Sequence, residues 1–149
     1  RFTDVGCVSP EEGLRTVEVE ANMVKFSTIK QDMDRLREIS DPSKTIYMFH
    51  SPPFRTSLDR AGLDGKKVDH APVDIHVGSI AIREFIEKEQ PLLTLHGHIH
   101  EAPRITGTWK EKINDTNIFS GAHDGPELAL VKFDSDEPDK ATRELLSPD

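Results

Sequence analysis

The sequence predicts a mixed α/β fold built around a strand–helix–strand unit. Residues 45–49 and 92–95 are short apolar runs, which is typical of strands buried on both faces. Between them, residues 79–90 carry apolar side chains at helical spacing. Because a crossover of this kind places its two strands parallel, we expect both strands to belong to one sheet.

The first part of the chain predicts a short strand followed by a helix. Residues 17–20 alternate apolar and acidic side chains, a pattern that indicates a half-buried strand. Residues 28–39 predict a helix, because four apolar side chains fall on one face: Ile29, Met33, Leu36 and Ile39. Asp41-Pro42 then ends this helix, since Pro disfavours helical geometry in the residue before it.

A long connection leads from the first apolar strand to the second helix. Residues 51–77 show no lasting periodicity, and a loop of this length in a compact domain is usually functional or mobile. Ser79 is the expected N-cap of the second helix, and Pro91 follows its end. This helix leads directly into the second apolar strand.

The last third of the chain predicts further strands joined by turns. Three β-prone pieces follow Pro103, at 104–109, 117–120 and 127–133. Residues 134–149 are rich in Asp, Pro, Lys and Ser and predict a polar, solvated tail. We therefore expect residues 1–133 to belong to one domain and 134–149 to form its C-terminal tail.

Composition and charge exclude several classes of protein. The chain has 149 residues and a net charge of −8, which argues against a broad basic surface for nucleic acid. No apolar run approaches the roughly 18 to 20 residues of a membrane span, and no signal peptide is visible. With a lone Cys7, these features predict a cytoplasmic protein. Since the first residue is Arg1 rather than Met, we expect the sequence to begin inside a longer protein.

Histidines follow both apolar strands at the point where each strand ends. His50 comes directly after the first strand, and the second runs into His96-Gly97-His98-Ile99-His100. The carboxyl ends of parallel strands meet at one edge of a sheet, where open α/β sheets bind ligands. Alternate residues of an extended segment point the same way, and Gly97 is the expected site of a sharp turn. We therefore favour a metal site over ordinary hydrogen-bonded histidines.

Two of these segments together resemble motifs of one enzyme family. Leu95 to His100, read as Leu-His-Gly-His-Ile-His, is similar to the last motif of the calcineurin-like metallophosphoesterases. Phe49 to Pro53, read as Phe-His-Ser-Pro-Pro, is similar to the motif that precedes it in that family. Their order and separation also fit, and the resemblance covers residues 44–123.

The resemblance implies an α/β fold of the α+β sandwich type, of which this chain is the C-terminal portion, flanked by helices. It implies a phosphoester hydrolase with two divalent metal ions (Mn, Fe or Zn) and a metal-bound hydroxide as nucleophile. His50 and His98 would bind one metal, and His100 the other. The implied substrate is a phosphorylated small molecule or a nucleotide.

The family's earlier motifs do not occur in this sequence. Asp-x-His, Gly-Asp and Gly-Asn-His should precede the position of His50, and we expect them before Arg1, in an N-terminal half of the same protein. The catalytic residues are then outside this sequence, and the chain by itself should be inactive. Two alternatives stay open: a metal-binding or regulatory domain without turnover, and a mononuclear zinc hydrolase with three histidine ligands.

Five further residues are candidates for contacts with the substrate or with the ligands. Arg55 offers a two-point contact to phosphate, although a solvated surface position is the simpler interpretation. His76 and Ser79 stand at a helix start, where backbone N–H groups either bind an anion or are capped by Ser79. Glu101 is placed to orient a ligand histidine, and His123 either enters the site or caps a turn.

Overall fold

The computed structural model describes residues 7–8, 15–16, 29–36 and 41–148, and these residues form a mixed α/β fold. The predicted strand at 17–20 lies wholly outside the described residues. Of the helix predicted at 28–39, residue 28 and residues 37–39 lie outside them. The helices and strands are, in order, β1 (Cys7–Val8), β2 (Arg15–Thr16), α1 (Ile29–Leu36), β3 (Ile46–Met48), β4 (Lys67–Val68), β5 (Ala71–Pro72), α2 (Ile80–Glu89), β6 (Leu93–His96), α3 (Ala102–Thr106), β7 (Lys110–Ile113), β8 (Thr116–Ser120), β9 (Leu128–Lys132) and β10 (Thr142–Leu146).

A four-stranded sheet in the order β3-β6-β8-β7 forms the centre of the fold. β3 and β6 pair in parallel, with Met48 opposite Leu95, as the strand–helix–strand pattern predicts. β6 also pairs in parallel with β8, so three strands end at the same edge. β7 completes the sheet as the antiparallel partner of β8.

Helix α2 begins and ends where the sequence predicts. The Ser79 hydroxyl accepts a hydrogen bond from the Ile82 N–H at 3.3 Å, and Gln90 ends the helix in the left-handed conformation with φ 47°. Its apolar face packs against α1 and β3 in a cluster of buried side chains that includes Met33, Tyr47, Leu58, Ile82, Phe85 and Ile86. This cluster holds α2 against the sheet and so determines where the long loop at 51–77 ends.

The prediction of a strand at 104–109 is wrong. Helix α3 occupies Ala102–Thr106, and the strand begins later, at Lys110. Pro103 suits the first turn of a helix, where its missing N–H is not needed. Gly107 ends α3 with φ 75° and donates its N–H to the Pro103 carbonyl. β-propensity is therefore outweighed by a proline that suits the start of a helix and a glycine that ends it four residues later.

The prediction of a solvated tail differs from the structure at Thr142–Leu146. These residues form β10, which pairs antiparallel with β9 and places Arg143 opposite Val131. Ala141, just before β10, is buried in a cluster with Leu93 and Phe119 of the central sheet. Pairing across the chain thus orders a segment whose own composition is polar, because the backbone supplies the hydrogen bonds.

No helix among the residues described here is both long and apolar enough to cross a membrane.

Candidate functional site

Backbone hydrogen bonds join the ends of the three parallel strands. The Gly97 N–H donates to the His50 carbonyl at 3.1 Å, and the Gly121 N–H donates to the His96 carbonyl at 3.0 Å. The ladder therefore continues two residues past β3 and one residue past β6 and β8, into the segments that carry the histidines. This pairing brings the two histidine motifs together, as the parallel arrangement predicts.

His50 and His98 are neighbours at this edge of the sheet. Their ring centroids lie 4.6 Å apart, with the ring planes tilted by 56°. Neither side chain makes a hydrogen bond or ion pair with another of the residues described, and both are exposed. Two imidazoles from segments 48 positions apart thus meet with their ring nitrogens available.

The chain turns at His98 rather than at Gly97, where the sequence predicts the turn. His98 has φ 74°, in the left-handed region that side-chain-bearing residues seldom occupy. Residues 98–100 are consequently not an extended segment, and the expectation that alternate side chains share one direction does not apply. Non-glycine residues in such strained conformations are common at functional sites.

The electrostatic environment of His98 favours its neutral ring. Burial lowers the pKa of His98, and the nearby charges of His50 and His100 lower it further, while Glu101 opposes them. A neutral imidazole is the form that binds metal. Within the described part of the chain, however, no group of three or more His, Cys, Asp or Glu side chains is arranged to hold a metal ion.

His96 faces the interior and positions the His50 loop. Its side chain is 5% exposed, and its Nδ1 lies 2.9 Å from the Ser51 carbonyl oxygen. Because a carbonyl only accepts, Nδ1 carries the proton, and Nε2 accepts from the Thr94 hydroxyl at 2.7 Å. Burial lowers the pKa of His96 to about 4, so the ring is neutral at physiological pH.

Asp59 organises the long loop before α2, and sequence reasoning missed it. Its carboxylate is fully buried and accepts four hydrogen bonds at 2.7–3.0 Å, from the N–H groups of Arg55, Thr56 and Gly78 and from His76 Nδ1. The spacing of Thr56 and Asp59, a capping-box pattern, is the only local signal for this role. These bonds hold the residues near both ends of the loop to one buried carboxylate.

Gly78 is required by the close approach of this loop to Asp59. A Cβ atom at Gly78 would lie 2.8 Å from the Asp59 side chain and 2.8 Å from the Pro52 carbonyl oxygen. The Ser79 N–H donates to the same Pro52 carbonyl at 2.9 Å. The start of α2 is thereby attached to the Pro-Pro segment that follows His50.

Glu101 and His123 are occupied by other partners. One oxygen of Glu101 accepts the Gly62 N–H at 3.2 Å. A bond to its own backbone N–H and this bond from Gly62 lower the pKa of Glu101. His123 Nε2 lies 2.9 Å from a carboxylate oxygen of Glu127 within the turn after β8. Neither contact orients His50 or His98.

Comparisons with known proteins inform the fold alone. No family model matches the chain, and no curated protein sequence matches it. A solved crystal structure aligns with 80% of this chain at a TM-score of 0.51 and 18% identity. The chain spans 39% of the length of that structure.

Proposed function

We propose that this chain contributes part of the metal site of a phosphoester hydrolase similar to the calcineurin-like metallophosphoesterases. The proposal rests on one observation: the His50 and His98 rings lie 4.6 Å apart at the carboxyl ends of adjacent parallel strands. These two histidines belong to the two motifs that carry the family resemblance. The edge of the sheet on which they meet is the usual ligand-binding edge of α/β proteins.

In this proposal His50 and His98 hold one divalent metal, and His100 holds a second. The lowered pKa of His98 supports a ligand role, since metal binding requires the neutral ring. Bound metal ions would polarise the phosphoryl group and lower the pKa of a bound water. His96 acts on the site indirectly, because its bond to Ser51 holds the segment that carries His50.

The donor set of the described residues is incomplete for such a centre. The described residues offer two adjacent imidazoles but no group of three ligands. We infer that carboxylate and amide ligands come from an N-terminal half of the same protein, which would carry the family's earlier motifs. Two neutral histidines need such anionic partners to balance the charge of the metal.

An apolar groove beside His50 is where we propose that this N-terminal half packs. The groove has a volume of about 670 Å³, and its lining includes Met48 and Leu95 of the central sheet with Ala129 and Val131 of β9. Met48 is 80% exposed on an outer strand, which is unusual for a large apolar side chain. A further strand paired with β3 here would cover this apolar surface.

Mn²⁺ titration tests the ligand assignment in the 149-residue chain. We expect weak, saturable binding that is lost in His50→Ala and in His98→Ala but kept in His70→Ala, which removes an exposed imidazole elsewhere. Paramagnetic broadening should affect the His50 and His98 ring signals first. Unchanged affinity in His98→Ala would contradict the assignment.

Phosphodiesterase assays test the reaction. We expect negligible turnover from this chain and manganese-stimulated hydrolysis of a generic phosphodiester by a protein that also carries the Asp-x-His, Gly-Asp and Gly-Asn-His motifs. Full activity from this chain alone would favour the mononuclear alternative. Metal binding without turnover in the longer protein would favour the regulatory one.

A further inference from the structure

A second group of chemically active side chains lies on the loop before α2. An open cleft of about 300 Å³ lies between this loop and β7, and Arg55, Arg60, His76, Ser57 and Glu111 contribute to its walls. We refer to this cleft, with these five residues in its walls, as the Arg55 cleft. Its cations belong to none of the metal-ligand roles proposed above.

Arg55 is held in a strained backbone conformation. Its φ is 55°, in the left-handed region, which costs a non-glycine residue free energy. Two bonds enforce this conformation: the Arg55 N–H donates to Asp59 at 2.9 Å, and Arg83 Nη1 donates to the Arg55 carbonyl at 2.9 Å. The guanidinium lies 5.2 Å from the centre of the Phe54 ring. No acidic side chain among the described residues pairs with it.

His76 contributes a second nitrogen-bearing side chain to the cleft. Its Nδ1 lies 2.7 Å from the buried Asp59 carboxylate, which fixes the ring, and its edge packs against Phe54. Its Nε2 has no hydrogen-bond partner in the described part of the chain, and the side chain is 28% exposed. In the protonated ring this nitrogen is a donor, so Asp59 positions it as a contact for an anion.

The remaining charges of the cleft are already engaged. The Arg60 guanidinium donates to the Ala61 carbonyl and forms an ion pair with Asp64. Glu111 accepts the Ser57 N–H at 2.7 Å, so one of its oxygens is committed to the backbone. Arg55 and His76 Nε2 are thus the groups left free to contact a ligand, and Glu111 is the group that would oppose an anion.

We propose that the Arg55 cleft binds a phosphate group between the Arg55 guanidinium and His76 Nε2. Guanidinium makes two-point contacts with phosphate, and His76 Nε2 adds a third contact, as a donor when the ring carries both protons. Ser57, whose hydroxyl has no partner among the described residues, can donate a further hydrogen bond. The site does not require the metal centre, so its test is separate from that of the proposed function.

Inorganic phosphate is the probe, added to the 149-residue protein in the presence of a chelator. The binding is followed by calorimetry and by the ring proton signals of His76. We expect saturable binding with a shift of the His76 signals. Arg55→Asn should weaken it by about tenfold or more, since a charged hydrogen-bond donor is lost. Asn is chosen because it tolerates the left-handed conformation.

Two further variants are expected to strengthen phosphate binding and to leave it unchanged, respectively. Glu111→Gln keeps an acceptor for the Ser57 N–H and removes the opposing charge, so phosphate should bind about threefold more tightly. Lys44→Gln, which removes an exposed charge at the other end of β3, should leave the affinity unchanged. The proposal is overturned if the His76 signals do not respond, if Arg55→Asn binds as the wild type does, or if Glu111→Gln weakens binding.

Discussion

Lowering the pH from about 7 to about 4 should destabilise this protein through His96. The ring is buried and its two nitrogens are satisfied only in the neutral form, with Nδ1 donating to Ser51 and Nε2 accepting from Thr94. It also stacks against Phe49, with ring centroids 5.8 Å apart. Protonation of Nε2 would place a charge in this interior and a second proton opposite the Thr94 hydroxyl.

The magnitude follows from the difference between the folded and unfolded pKa of His96. Burial lowers this pKa from 6.5 to about 4, although the bond to Ser51 opposes the shift. Between these values the unfolded chain binds more protons than the folded chain, so stability falls as the pH falls. A difference of about 2.5 in pKa corresponds to about 3 kcal/mol. The full stability is present above about pH 6.5, and this contribution is lost by about pH 4.

Urea denaturation at a series of pH values measures the effect. Carboxylates also titrate over this range, so the decisive quantity is the difference between the wild type and His96→Asn, which keeps a donor for Ser51. We expect the stability advantage of the wild type over His96→Asn to shrink by about 3 kcal/mol between about pH 7 and about pH 4. His70→Asn, at an exposed hairpin position, should follow the wild type throughout.

Parallel pH profiles for the wild type and His96→Asn would refute this reasoning. If His96→Asn does not fold, a second measurement on the wild-type protein tests the same reasoning. The ring protons of His96 in the wild-type protein should not titrate between about pH 7 and about pH 5 in an NMR experiment. A midpoint near the ordinary histidine value would contradict the buried, neutral ring.

Three pairs of substitutions test the loop and the core by the same denaturation assay. Gly78→Ala should lower the free energy of unfolding by about 1–3 kcal/mol, because its Cβ would lie 2.8 Å from the Pro52 carbonyl oxygen. In the control Gly62→Ala, the Cβ meets only Ile105 at 3.7 Å, and the loss should be less than about 1 kcal/mol. Asp59→Asn should cost about 3 kcal/mol, because an amide nitrogen cannot accept backbone N–H bonds, and Asp64→Asn at the surface should be nearly neutral. Ile86→Ala should lower the free energy of unfolding by about 2–5 kcal/mol, because Ile86 is fully buried, whereas Ile80→Ala at an exposed position should change it little. Equal losses of stability within any of these three pairs would contradict the packing described.

The strand–helix–strand unit is the part of the fold that the sequence predicts well. Ser79 caps α2 and Pro91 follows it, because these signals act within a few residues. The parallel pairing of β3 and β6 follows from the length of the crossover between them. From this pairing alone, His50 and His98 are expected to be neighbours, and their rings are adjacent.

The order of the C-terminal segment could not be predicted in the same way. β10 is stabilised by pairing with β9 and by an ion pair between Lys132 and Glu144, and neither contact is visible in the local composition. Short strands depend on their partners for stability, so a polar segment becomes ordered only when the partner is in place. Helix α3 at 102–106 is a different case, since Pro103 and Gly107 are local signals for its start and its end, although a helix this short also depends on its surroundings.

By itself, the sequence determined the periodic elements, their parallel connection and the edge of the sheet on which the histidines meet. Only the tertiary structure decided that the chain turns at His98, and that Asp59 gathers donors from both ends of a long loop. The physical reason is whether a regular sequence pattern accompanies the interaction. Capping, periodicity and a strand–helix–strand crossover each have a regular sequence pattern, whereas the donors that satisfy a buried carboxylate in an irregular loop are set by how that loop folds back on itself.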